Sequence, residues 1–123
     1  MITIIKSMAD HDTLLKSANP VMICFKATWC APCKTITPFL EEFATNNIWA
    51  DVATVDIDTN PDLVKKYDIL KLPTTMFFMN GVAVGESTFG VITKAEMEMR
   101  LRPLAPMVIP PIFGGLPPHL PTV

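Results

Sequence analysis

Val21-Met22-Ile23-Cys24-Phe25, followed three residues later by Trp29-Cys30-Ala31-Pro32-Cys33, carries the strongest structural signal in the chain. The first five residues are an unbroken apolar run, the pattern of a strand buried on both faces. Pro32 presets a backbone φ suited to the first turn of a helix, so the chain is predicted to pass from strand to helix at Cys30. At a helix start, the unpaired N–H groups and the positive dipole end stabilise a thiolate. Cys30 is therefore the candidate nucleophile and Cys33, one turn behind, the candidate resolving thiol. The chemistry suggested is thiol–disulfide exchange through a mixed disulfide. The rival reading of C-x-x-C is half of a zinc site. Beyond this pair the chain offers only Cys24, His11 and His119 as further soft ligands, with no second closely spaced pair. Redox chemistry is favoured, and no metal is expected.

Behind Cys33, Ile36, Phe39, Leu40 and Phe43 fall on one helical stripe, with Pro38 inside it expected to kink the helix. Upstream, Met1–Lys6 reads as a strand and Ser7–Ser17 as a short helix. Downstream, Ala50–Asp58 reads as a second buried strand. Asn60 is a predicted N-cap with Pro61 at the first helical position, opening a helix that carries Leu63, Val64 and Tyr67. Thr74–Met79 is predicted to be a strand, Asn80-Gly81 a two-residue hairpin turn, and Val82–Phe89 its antiparallel return. Thr93 with Glu96 forms a capping box for a last helix through about Leu101, which Pro103 ends. The order β-α-β-α-β-α-β-β-α is that of an α/β protein, a central mixed β-sheet flanked by helices.

A chain of 123 residues, half of them hydrophobic, is enough for one domain with its own core. Its net charge of −2 leaves no basic footprint, so nucleic acid is not an implied partner. No run reaches the length of a membrane span. The apolar start is short and meets Lys6, Asp10, His11 and Asp12 at once, so it does not read as a signal peptide. Three cysteines, an odd count, argue against a disulfide framework. The expected compartment is reducing and cytoplasmic, where C-x-x-C is more often catalytic than structural.

Phe25-Lys26-Ala27-Thr28-Trp29-Cys30-Ala31-Pro32-Cys33-Lys34 is similar to the active-site strand, turn and helix of the thioredoxin family. The resemblance extends from Met1 to about Leu104. It takes in Pro38, Val55-Asp56-Ile57-Asp58 before Asn60-Pro61, Leu72-Pro73-Thr74, Phe78-Met79-Asn80-Gly81 and Gly90. It implies the thioredoxin fold and a protein-disulfide reductase with a redox-active Cys30–Cys33 disulfide and no bound cofactor. Its substrates would be disulfide-containing proteins, and its electrons would come from a separate thioredoxin reductase, dependent on flavin and NADPH. It further implies a cis Pro73 beside the cysteine pair. Trp29, Leu72, Pro73, Thr74, Gly90 and Val91 would form an apolar groove along which an extended peptide pairs its backbone. Singly these residues read as core filler, turn or strand entry; grouped around one C-x-x-C they favour the groove.

Three departures stand out against the resemblance. The family usually places a buried Asp where this chain has Cys24, and often a Lys where it has Thr54. A slower or more pH-sensitive resolving step is therefore expected. Cys24 is expected to be an ordinary buried small hydrophobe, the alternative being a disulfide with Cys33. Ala31-Pro32 replaces the commoner Gly-Pro, a mild change that leaves a reductant-like pair. Lastly, Pro103–Val123 holds seven of the twelve prolines, no Asp, Glu, Lys or Arg, and one His, His119. The boundaries expected are a domain over 1–104 and a proline-rich apolar tail over 105–123. The tail is read as a surface extension, or else as a docking segment for a partner or a second subunit. A binding module acting through groove and tail is the alternative function; the intact cysteine pair favours the enzyme.

Overall fold

The computed structural model describes residues 1–105. Its elements are β1 (Ile2–Ile5), α1 (Met8–Leu14), β2 (Val21–Lys26), α2 (Ala31–Asn46), β3 (Asp51–Asp56), α3 (Pro61–Tyr67), β4 (Thr74–Met79), β5 (Val82–Ala83), β6 (Thr88–Phe89) and α4 (Lys94–Leu101), followed by a 3₁₀ turn over Arg102–Leu104. The sheet order is β1-β3-β2-β4-β5, with β6 also on β4. β1 and β2 run parallel to β3, and β4 runs antiparallel to β2. This is the mixed sheet read from the sequence.

Strand β2 is central, which explains its continuous apolar run: both edges are paired and both faces covered. Alternation along it splits the core. Met22 and Cys24 pack with Ile36, Leu40 and Phe43 of α2 and with Met97 and Leu101 of α4. Ile23 and Phe25 face the other layer, with Leu63 and Tyr67 of α3 and Met8 and Leu14 of α1. Burying each such side chain contributes roughly 1.5–3 kcal/mol. Buried His11 ties that second layer together, its Nε2 lying 2.5 Å from the Tyr67 hydroxyl and its Nδ1 2.8 Å from Asp12 Oδ1. Across the other layer, Asn47 donates from Nδ2 to the Phe43 carbonyl at 3.1 Å and to Glu98 Oε2 at 2.9 Å, joining the end of α2 to α4.

Several predicted details hold. Asn80 and Gly81 have φ of 54° and 81°, the left-handed pair that a tight hairpin turn of the type I′ kind requires. Glu96 N–H donates to Thr93 Oγ1 at 3.2 Å and Thr93 N–H to Glu96 Oε1 at 3.1 Å, completing the capping box. Pro38 lies inside α2 as expected, and the helix is unbroken from Ala31 to Asn46.

Other details differ. Helix α1 ends at Leu14 rather than Ser17, because the Ser17 hydroxyl is engaged by the Asp51 carboxylate. The return strand is not continuous over Val82–Phe89. Four residues, Val84–Ser87, stand opposite Met76 and Phe77, so the outer chain bulges and pairing resumes only at Thr88. Arg100 fills the space, its guanidinium 4.5 Å from the Phe77 ring centroid and donating to the Glu86 carbonyl. Asn60 occupies the cap position of α3, yet its side chain does not cap the helix. It turns inward instead, with Nδ2 donating to the Asp56 carbonyl at 2.9 Å. No described helix is long and apolar enough to cross a membrane. The tail over 105–123 lies, beyond Ala105, outside the described residues.

Candidate active site

Strand β2 ends at Lys26, and three residues of turn carry the chain to Cys30 at the start of α2. Cys30 is the N-cap of this sixteen-residue helix, and its Sγ accepts the Cys33 backbone N–H at 3.3 Å. Ala31 and Pro32 are the first two helical residues, where a missing proline N–H removes no helical hydrogen bond. The first cysteine thus sits where the helix presents unpaired donors and its positive end, the environment that stabilises a thiolate. Cys30 and Cys33 are joined as a disulfide with Cα atoms 5.3 Å apart. Both are buried, packed with Ala27 and with Ile57 and Leu72.

Two of the groove residues expected from the sequence, Trp29 and Leu72, adjoin the disulfide in the chain or in space. Leu72 packs directly on the cysteine cluster, and the Leu72–Pro73 bond is cis. The Pro73 carbonyl accepts the Gly90 N–H at 2.9 Å, which joins the segment before β4 to the segment after β6. Gly90 has φ of +82°, a conformation L side chains rarely adopt. Thr74 is buried and pairs with Phe89 across β4 and β6. Trp29 is 66% exposed, so it is not core filler. Its Nε1–H donates to Asp58 Oδ2 at 2.9 Å, which ties the indole to the segment following β3. Val91 is exposed next to Gly90.

Sequence reasoning missed Asp58 as the anchor of Trp29 and Ile57 as a wall of the cysteine cluster. Both directly follow β3, in the Val55–Asp58 segment whose place at the end of that strand was readable although its side-chain partners were not.

Cys24 is free and fully buried. The structure pairs Cys30 with Cys33, not Cys24 with Cys33. Burial pushes the Cys24 thiol up from 9.0 to about 11. The Thr75 hydroxyl beside it offsets a little of this, without the geometry of a full hydrogen bond. The folded state therefore holds this proton more tightly than the unfolded chain. The group's contribution is intact below pH 9 and is lost as pH rises from 9.0 towards about 11, because the unfolded thiol ionises first. The full loss is about 2–3 kcal/mol. Between pH 8 and pH 10, urea unfolding of the oxidised protein should show about 1 kcal/mol more destabilisation than that of Cys24→Ala. Equal losses in the two proteins would rule the effect out.

Residues 2–102 match the protein-family model described as Thioredoxin. The chain is 37% identical over 94 residues to thioredoxin from Mycobacterium tuberculosis, covering 76% of this chain and 80% of that protein. It is 40% identical over 72 residues to the bifunctional thioredoxin reductase/thioredoxin of Mycobacterium leprae, covering 58% of this chain and 16% of that protein. Thioredoxin from Trypanosoma brucei brucei superposes with a TM-score of 0.77 at 27% identity, covering 85% of this chain and 90% of that one. With its disulfide at the N-terminus of α2 and this kinship over nearly all of the described residues, the chain belongs to the thioredoxin family and is a thiol–disulfide oxidoreductase.

Proposed function

We propose that Cys30 is the attacking thiolate and Cys33 the resolving thiol in the reduction of protein disulfides. The observation that carries this order is the placement of Cys30 at the N-cap of α2, where its Sγ already receives a backbone N–H. Reduced Cys30 attacks one sulfur of a substrate disulfide, and the other leaves as a thiolate. Cys33 then attacks Cys30 Sγ, expels the second substrate thiolate and leaves the protein oxidised. Ala31 and Pro32 shape the helix start that favours the Cys30 anion.

Trp29, Leu72, Pro73, Thr74, Gly90 and Val91 are proposed as the substrate groove. The close approach of Leu72 to the disulfide and the Pro73–Gly90 hydrogen bond support this. An extended substrate segment would pair with the backbone of Leu72-Pro73-Thr74. Electrons are proposed to come from a thioredoxin reductase, a pairing suggested by the relative that carries both names in one chain. The working domain is taken as 1–104, supported by the family match to residue 102 and by the 3₁₀ turn that closes at Leu104. A reducing, cytoplasmic setting suits a chain with a buried free thiol and a redox-active pair.

The test is reduction of insulin disulfides by the full chain with dithiothreitol, beside Cys30→Ser. Turnover that disappears in the variant is the expected result. Turnover that survives it would remove Cys30 from the attacking role.

A further inference from the structure

Resolution of the mixed disulfide requires Cys33 as an anion, and an unperturbed thiol with a pKa of about 8.5 is only a few per cent ionised at neutral pH. Cys30 has the helix terminus to stabilise its charge. Cys33 does not share that advantage: it is 2% exposed, lies inside the first turn, and its N–H is already donated to Cys30.

A cavity of about 260 Å³ adjoins this residue, lined by Cys33, Lys26, Lys34, Thr37 and Asp56 among others. The charged and titratable groups facing it can be assigned by element. Strand β2 supplies Lys26, with the buried Cys24 thiol two residues before it; β3 supplies Asp56; α2 supplies Lys34, which is exposed. Strand β4, which pairs with β2 through Thr74 opposite Phe25 and Thr75 opposite Cys24, brings no charged residue to that register. Lys26 is the half-buried cation of this group, and it is tethered. Its Nζ donates to Thr37 Oγ1 at 3.2 Å, and the Thr37 hydroxyl donates to the Cys33 carbonyl at 2.9 Å. The ammonium is thereby held at the turn of helix that carries Cys33. Its partner is a neutral hydroxyl, so its charge is not cancelled at the contact.

We propose that Lys26 is a positioning residue for the resolving step, its tethered ammonium favouring the Cys33 thiolate across the shared cavity while the Asp56 carboxylate opposes it. The proposal rests on the reading of Cys33 as the resolving thiol. Cys33 loses its proton to water at the cavity and thence to solvent. Its sulfur then attacks Cys30 Sγ with its own electron pair. A Cys30–Cys33 bond forms, the bond from Cys30 to the substrate sulfur breaks, and that sulfur leaves as a thiolate with the bonding pair. Lys26 neither gains nor loses a proton; it lowers the free energy of the anion. An opposite charge at close range shifts a titrating group by roughly 1–3 pH units, and a like charge shifts it the other way.

The experiment mixes the reduced full chain with one equivalent of 4,4′-dithiodipyridine, a neutral disulfide, in a stopped-flow instrument from pH 5.5 to 9. The first thiopyridone released reports attack by Cys30 and the second reports resolution. In Lys26→Met the pH midpoint of the second phase should rise by roughly one unit, a slowing of roughly tenfold below the midpoint. Lys26→Arg should restore the wild-type midpoint, and Asp56→Asn should move it down. An unmoved second-phase midpoint in Lys26→Met overturns the proposal. If that variant does not fold, a midpoint in Asp56→Asn that stays put or rises overturns it instead. Cys33→Ser separates the two levels of the argument. A second phase persisting there would refute Cys33 as the resolving thiol, whereas one that needs Cys33 and ignores Lys26 refutes only the inference drawn here.

Discussion

Cys33→Ser is expected to accumulate as a covalent adduct with its disulfide substrate, while turnover falls on the order of 10³-fold or more. The asymmetry of the two cysteines makes this the largest functional effect. The contact that favours the Cys30 anion comes from the backbone N–H of residue 33, at 3.3 Å from Cys30 Sγ, and the substitution leaves that N–H in place. Attack on the substrate therefore proceeds. The second attack does not, because a serine hydroxyl is neither ionised near neutral pH nor able to replace a thiolate as nucleophile toward a disulfide. Non-reducing gels and intact mass of the variant mixed with oxidised insulin should show a one-to-one adduct that dithiothreitol releases. Under the same conditions Cys30→Ser should form none. An adduct in Cys30→Ser and its absence in Cys33→Ser would reverse the two roles.

The core of the fold was readable because it rests on periodicity and on strong local signals. The unbroken run Val21–Phe25 marks the doubly covered central strand, and the stripe Ile36–Phe43 marks the buried face of α2. Asn80-Gly81 and the Thr93–Glu96 box locate a turn and a helix start through chemistry that needs no tertiary context. What was not readable depends on distant partners. The bulge at Val84–Ser87 is filled by Arg100, fourteen residues beyond Glu86, whose carbonyl it bonds. Asn60 leaves its capping role because the Asp56 carbonyl offers a buried partner. At the site the cysteine pair was legible from its spacing, and the cis Leu72–Pro73 bond from the family resemblance. The Trp29–Asp58 bond and the cavity joining Lys26, Thr37 and Asp56 to Cys33 were not. They arise where the ends of β2 and β3 meet the first turns of α2, a meeting set by strand register rather than by any local pattern.

Phe43→Ala is expected to have the largest effect on stability, because the helix that carries the redox pair is held to the sheet through this side chain. Phe43 is fully buried, shares a cluster with Leu40, Met97 and Leu101, and meets Trp49 edge-on with ring centroids 6.1 Å apart. Truncation removes the transfer term and leaves a cavity between α2 and α4 that neither helix can close without losing its contact to the sheet. A buried Phe→Ala change costs about 3–5 kcal/mol, against a total stability of about 5–15 kcal/mol for a domain of this kind. At this chain length the melting temperature should fall by roughly 10–20 °C. Met99 provides the control on the neighbouring helix: it lies in α4 but is 74% exposed. Met99→Ala should therefore change stability by less than about 0.5 kcal/mol. Urea unfolding of the two variants, both oxidised, measures the contrast. Equal midpoints would mean that α2 is anchored through some other contact, whereas the expected gap places the anchor three turns behind the cysteines it positions.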